Sequence, residues 1–105
     1  MAIQVSTEIL EGSVLALLNQ QDYYGYTITK KMQRSFPISE STMYPILRRL
    51  KKSSWLSTYD QSYEGRNRRY YQITSEGKTR LNEIKADWEK IKLATNRILE
   101  ETDDR

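Results

Sequence analysis

The chain contains no cysteine and no histidine. The first absence excludes a disulfide framework. Together they remove most zinc ligand sets and the usual partner of a catalytic nucleophile. Clustered carboxylates occur only in the C-terminal segment, so an enzyme finds little to work with and no cofactor is expected. Long apolar runs are missing as well. The longest, Val14 to Leu18, is five residues and excludes a helical membrane span. Nothing at the N-terminus reads as a secretory signal, so a cytoplasmic location is expected. Apolar residues make up 37% of the 105 residues and mean hydropathy is −0.80, enough for one small domain with an appendage. So little apolar material points to association that supplies more core.

Charge is present and unevenly placed. The net charge is +3, but residues 22–80 hold twelve Lys/Arg against five Asp/Glu, a local +7. Residues 1–21 and 81–105 each carry −2. A basic middle between acidic ends suits a polyanion held by the centre of the chain.

In chain order, Ser6 and Glu8 open a first helix whose Ile9, Leu10, Val14, Leu17 and Leu18 follow helical spacing. Gly12 lies inside it, at a cost of about 1 kcal/mol relative to Ala, and a close approach by another element would account for it. After a polar loop at residues 19–22, Gly25, Ile28, Met32 and Phe36 set the apolar face of a second helix over about 24–35. Its exposed side carries Lys30, Lys31 and Arg34, and Pro37 ends it. Only Ile38 then precedes Ser39, the N-cap of a third helix running to Lys52. Met43, Ile46, Leu47 and Leu50 form that helix's buried stripe, leaving Ser41, Thr42, Tyr44, Arg48, Arg49 and Lys52 outward. Pro45 forfeits one backbone hydrogen bond near Ser41, and a bend is expected there. Two helices so closely joined are a helix-turn-helix signature.

Two runs rich in aromatic and β-branched residues follow, 55–60 and 69–74, separated by a polar segment. They read as a hairpin whose tip is the basic Arg66, Asn67 and Arg68, which is a wing. Thr74 caps a last helix in which Leu81, Ile84, Trp88, Ile91, Thr95 and Ile98 make a narrow coiled-coil-like seam. Such a stripe needs a partner, and a two-fold dimer is the natural one. The closing TDDR is expected to fray. The fold class is therefore mainly α with a small β-hairpin: a winged helix-turn-helix over 1–74 and a dimerisation helix over 75–105.

The strings YGYTI (24–28), STMYPILRRL (41–50) and RRYYQIT (68–74), followed by Gly77, together resemble the PadR family of bacterial transcriptional regulators. The resemblance spans about residues 9–99 and, as an ordered set, is quite specific. The single long last helix is similar to the short subfamily. What this implies is a winged-helix homodimer repressing transcription from a palindromic operator on double-stranded DNA. Its last helix would pack on the partner, in part through the first. Some short members bind flat aromatic or drug-like molecules at the dimer centre, and Trp88 matches the aromatic position associated with this. Family members usually carry Gly where Ser54 stands, and Leu or Ile where Trp55 stands. Their wing often has a Gly-Gly or Gly-Pro step, against one Gly and more Arg here.

On this reading, DNA is contacted by Ser39, Ser41, Thr42 and Tyr44 at base edges, with Arg48 and Arg49 near phosphates. Arg66 and Arg68 act from the wing, and Lys30 flanks the backbone. The alternatives are a solvated helix face whose hydroxyls only cap its end, and a Tyr44 buried against the second helix. Tyr24, Tyr26, Tyr70 and Tyr71 are expected in the core rather than as a base-stacking surface. Leu10, Val14, Leu81, Ile84, Trp88, Ile91 and Ile98 are expected to hold the dimer. Trp88, with Asp87 and Ile91, is also the candidate site for a planar, cationic or aromatic effector, against the plainer role of packing. A winged helix that docks on another protein through its basic face is the competing reading.

Overall fold

The computed structural model describes residues 3–101. Its order is α1 (Thr7–Gln20), β1 (Tyr23–Tyr24), α2 (Gly25–Ser35), α3 (Glu40–Lys52), β2 (Leu56–Tyr63), β3 (Arg66–Ile73) and α4 (Ser75–Glu101). The TDDR tail, expected to fray, lies outside the described residues. Among those described, no helix is long and apolar enough to cross a membrane.

Helix starts follow the capping chemistry of the sequence. Ser6 accepts from the Ile9 amide at 3.2 Å, Ser39 from the Thr42 amide at 3.3 Å, and Thr74 from the Gly77 amide at 3.0 Å. Apolar faces then converge on one core made of Leu10, Val14, Leu15 and Leu18 of α1, Ile28 and Met32 of α2, and the whole α3 stripe. Leu56 of β2 and Leu81 and Ile84 of α4 complete it. The inward face of α1 differs from its sequence reading. Leu15 and Glu11 are buried, whereas Ile9 and Leu17 are only partly covered. Gly12 does mark a close approach, because a Cβ there would lie 2.6 Å from Ile84 Cγ2 of α4.

The sheet corrects the hairpin reading. Its order is β1-β3-β2, all antiparallel, with a first strand of two residues that the periodicity did not reveal. β2 and β3 pair along their full lengths, from Leu56↔Ile73 to Tyr63↔Arg66. The tip is thus Glu64–Gly65, with φ 49° and 77°, and not Arg66 to Arg68. Two successive left-handed residues match the right-handed twist of the strands, so a two-residue turn closes the ladder and draws the polar flanks into it.

The exit of α3 is a Schellman motif. The Trp55 amide bonds the Leu50 carbonyl and the Ser54 amide the Lys51 carbonyl, each at 3.0 Å, with Ser54 at φ 65°. Ser54, where relatives usually carry Gly, thus holds a left-handed conformation that favours glycine. Thr74 ties this exit to the start of α4, donating from Oγ1 to the Ser54 carbonyl at 2.6 Å while its amide bonds the Trp55 carbonyl at 3.1 Å. Trp55 is half-buried against the core, with the Arg80 guanidinium 5.3 Å from its ring centre.

The molecule is elongated, 65 × 28 × 20 Å, with a radius of gyration of 16.3 Å. A compact chain of this length would give about 13 Å. The excess comes from α4, whose 27 residues span about 40 Å and outrun the core beyond Ile84.

Candidate nucleic-acid interface

Helix α3 divides its residues sharply. Met43, Ile46, Leu47 and Leu50 are each no more than 2% exposed, which fixes the helix's roll on the core. The same roll turns Ser41, Thr42, Tyr44 and Arg48 to solvent. Tyr44 is 57% exposed, so burial against α2 is not its role. Pro45 is carried within an unbroken helix. At the N-terminal end the hydroxyls form a small network, Ser39 Oγ lying 2.8 Å from Ser41 Oγ and 3.2 Å from Thr42 Oγ1. Capping and outward presentation therefore coexist in Ser39, and neither excludes the other.

The basic residues differ in what already holds them. Arg48, Lys51, Lys52 and Arg66 form no ion pair among the described residues. Arg49 donates from Nε to Glu11 Oε2 of α1 at 3.2 Å, and that carboxylate is almost wholly buried. Arg49 thus differs from Arg48 in that its Nε is engaged in joining α3 to α1. Glu11 was not singled out from the sequence, although its place four residues before Leu15 and seven before Leu18 puts a carboxylate on a buried helical row. Arg69 pairs with Asp60 at 3.5 Å across the hairpin, and both are exposed.

The tyrosines differ most from expectation. Tyr23 and Tyr71 pack against the core, and burial pushes the Tyr71 phenol up from its ordinary value, against a smaller lowering by Arg69. Tyr26 is 57% exposed with the Lys30 ammonium 5.2 Å from its ring centre. Tyr24, Tyr59 and Tyr70 occupy one cross-strand row, Tyr24↔Tyr70 and Tyr59↔Tyr70, with the last pair stacked at 5.6 Å. Tyr59 donates to Asp22 Oδ2 at 2.7 Å, and this bond raises its phenol's pKa. The Arg68 guanidinium lies between two rings, 4.7 Å from Tyr24 and 4.3 Å from Tyr63. Tyr24, Tyr26 and Tyr70 therefore form a surface cluster rather than core, and the Arg68 guanidinium lies against it.

Taken together, the geometry is an outward row of short polar side chains on a rolled-in helix, beside a two-stranded wing ending in Arg66. The profile of the Transcriptional regulator PadR-like family matches residues 14–83, from α1 through the first turns of α4. The chain belongs to the PadR-like family. A Streptococcus mutans protein of known structure is similar at 38% identity and TM-score 0.89, over 95% of this chain and 94% of its own. A PadR family transcription regulator from Clostridium difficile is 32% identical with TM-score 0.79, covering 86% and 97%. An uncharacterised Lysinibacillus sphaericus protein is 37% identical over 89 residues, 79% of this chain and 81% of the relative. As a PadR-like protein the chain is a transcriptional regulator with a DNA-binding winged-helix fold, not an enzyme.

Four of the seven residues expected at a dimer interface are used within this PadR-like protomer. Leu10, Val14, Leu81 and Ile84 are between 0% and 7% exposed in its own core. The α4 stripe that Leu81 and Ile84 begin continues beyond the core, where Trp88 is 46%, Ile91 58% and Ile98 63% exposed. Asp87 stands exposed beside Trp88.

Proposed function

We infer that the protein is a homodimeric repressor that binds a palindromic operator, with the exposed row of α3 reading the major groove. The observation that carries this reading is the roll of α3, which buries its apolar stripe and leaves Ser41, Thr42, Tyr44 and Arg48 together outside. Short hydroxyl side chains at the N-terminal end of such a helix reach base edges, and Arg48 meets the flanking phosphate. Arg66, at the end of the wing, reaches phosphate or the adjacent minor groove. Ser39 fixes the helix N-terminus. Lys30 and the remaining donors of Arg49 act at the periphery.

Dimerisation is supported by the exposed stripe on α4. Isolated surface leucines need no explanation, but a tryptophan and two isoleucines on one helical row, projecting past the core, do. Residues 1–74 thus hold DNA while 75–105 hold the partner, although the first turns of α4 also complete the core. A two-fold pairing through this stripe would bring two Trp88 indoles together. With Asp87 and Ile91 beside them they form a site for a planar aromatic or cationic effector. An effector that favours a different separation of the two α3 helices would release the operator by shifting the population of dimers. Such a regulator works in the cytoplasm.

Selection of duplexes from a random pool tests this reading. The expected product is an inverted repeat with half-sites centred about one helical turn, some 34 Å, apart. A single unrepeated site, or no enrichment, would contradict it. Tryptophan fluorescence titrated with planar cations tests the effector site. Quenching should vanish in Trp88→Ala, and quenching that persists there arises at Trp55 instead.

A further inference from the structure

Arg68 looks from the sequence like one more phosphate contact, yet the structure gives its guanidinium another task. Alternation along β3 places Arg68 and Tyr70 on the same outer face of the sheet, away from the face that carries Tyr71 and Ile73 to the core. On β2, Tyr63 is the diagonal neighbour of Arg68, two residues past its direct partner Gln61. Tyr24 comes from the other side, as the last residue before α2. The guanidinium lies against both rings, at 4.3 and 4.7 Å. Its planar, weakly hydrated group suits stacking in a way a lysine ammonium does not.

The sheet explains why such a contact would matter. β1 pairs only with Tyr70 and Tyr71. From Arg69 to the turn, the wing is a two-stranded ribbon with no third strand beside it. A ribbon of two strands is free to twist and bend. The Tyr63 ring sits at the outer end of this unsupported stretch, one residue before Glu64–Gly65. The Tyr24 ring sits at the root, tilted at 45° against Tyr70, which stacks on the Tyr59 that Asp22 anchors. Arg68 bridges the two ends.

We propose that Arg68 is a positioning residue, a brace between Tyr24 and Tyr63 that sets the attitude of the wing relative to α2 and α3, rather than a residue that neutralises phosphate. Arg66, which forms no ion pair among the described residues, carries the contact instead. The proposal rests on the reading of α3 and the wing as the DNA-holding face, so its test has one arm that needs no DNA.

In the first arm, amide hydrogen exchange is followed in the unbound full-length protein for wild type, Arg68→Lys and Arg68→Gln. Both variants should exchange about tenfold faster at residues 61–68, with 70–73 unchanged. In the second, anisotropy is measured against salt on a 40-base-pair duplex recovered from a random pool by the wild-type protein. If no duplex is enriched, a mixed-sequence duplex of that length is used. Both Arg68 variants should bind about tenfold more weakly with the wild-type salt slope, whereas Arg66→Gln should flatten the slope by about 0.9. In a Tyr24→Leu background, Arg68→Lys should have no further effect. Wild-type behaviour of Arg68→Lys, with a flattened slope for Arg68→Gln, would make Arg68 a phosphate contact and overturn the proposal. Faster exchange with unchanged affinity would overturn it too. Absence of salt-dependent binding by the wild-type protein would sink the DNA-face reading itself, and the exchange arm would still report whether the brace exists.

Discussion

At the scale of single residues, the strain at Ser54 makes a direct prediction. A left-handed conformation costs a residue with a side chain about 1–2 kcal/mol, part of which glycine returns through its greater freedom when unfolded. Ser54→Gly should therefore raise stability by about 0.5–1 kcal/mol, read as a melting temperature several degrees higher at fixed protein concentration. An unchanged or lower melting point would mean that the Schellman exit of α3 is not strained. Tyr71 predicts a pH effect. Burial raises its phenol pKa in the folded state, so the unfolded chain ionises first as pH climbs. Its contribution is complete below about pH 10 and is lost as pH rises through the folded value. Tyr71→Phe should move the onset of alkaline unfolding upward in a pH-jump measured by circular dichroism.

Between elements, one ion pair adds to the apolar packing that seats α3 on the core. Glu11 and Arg49 are 38 positions apart in sequence, and their contact links α3 to α1 beside that packing. Losing a hydrogen bond between charged groups costs about 1.5–3 kcal/mol, discounted here because Arg49 is half exposed and can return to water. Glu11→Ala should therefore lower urea stability by about 1–2 kcal/mol, and a loss below about 0.5 kcal/mol would show that the contact is incidental. This is also where the sequence stopped being legible. Helices α2, α3 and α4 were readable because caps and periodic apolar rows act locally: Ser39 and Thr74 sit at their ends, and Met43 to Leu50 mark one face. The wing was harder. A two-residue turn depends on the backbone angles of Glu64 and Gly65, and polar residues on both sides hide the ladder that it sets in register. β1 was invisible because two residues carry no period, and only β3 makes them a strand. The tyrosines followed from that, since without β1 there is no row for Tyr24, Tyr70 and Tyr59 to share. The partners of Arg49 and Arg68 come from residues far along the chain or on a neighbouring strand, which no local pattern encodes.

For the whole molecule, the account depends on a second copy. Trp88, Ile91 and Ile98 take no part in the protomer's own core, so replacing them should spare the fold and affect association. A central tryptophan in an interface is worth about 2 kcal/mol or more, and each 1.4 kcal/mol is tenfold in affinity. Trp88→Ala should weaken dimerisation at least thirtyfold or so by sedimentation, and Ile91→Lys should abolish it, with helical content retained in both. A dimer unaffected by both changes would place the interface elsewhere.

The central claim is that the outward row of α3 holds duplex DNA, and Arg48 is its cleanest probe because no ion pair among the described residues engages it. The decisive measurement is duplex affinity against salt concentration for wild type and Arg48→Ala. The account predicts a steep linear fall of log affinity with log salt for the wild type. For the variant it predicts a slope shallower by about 0.9, the release of one phosphate's counterions. Identical affinity and slope for the two proteins would contradict it.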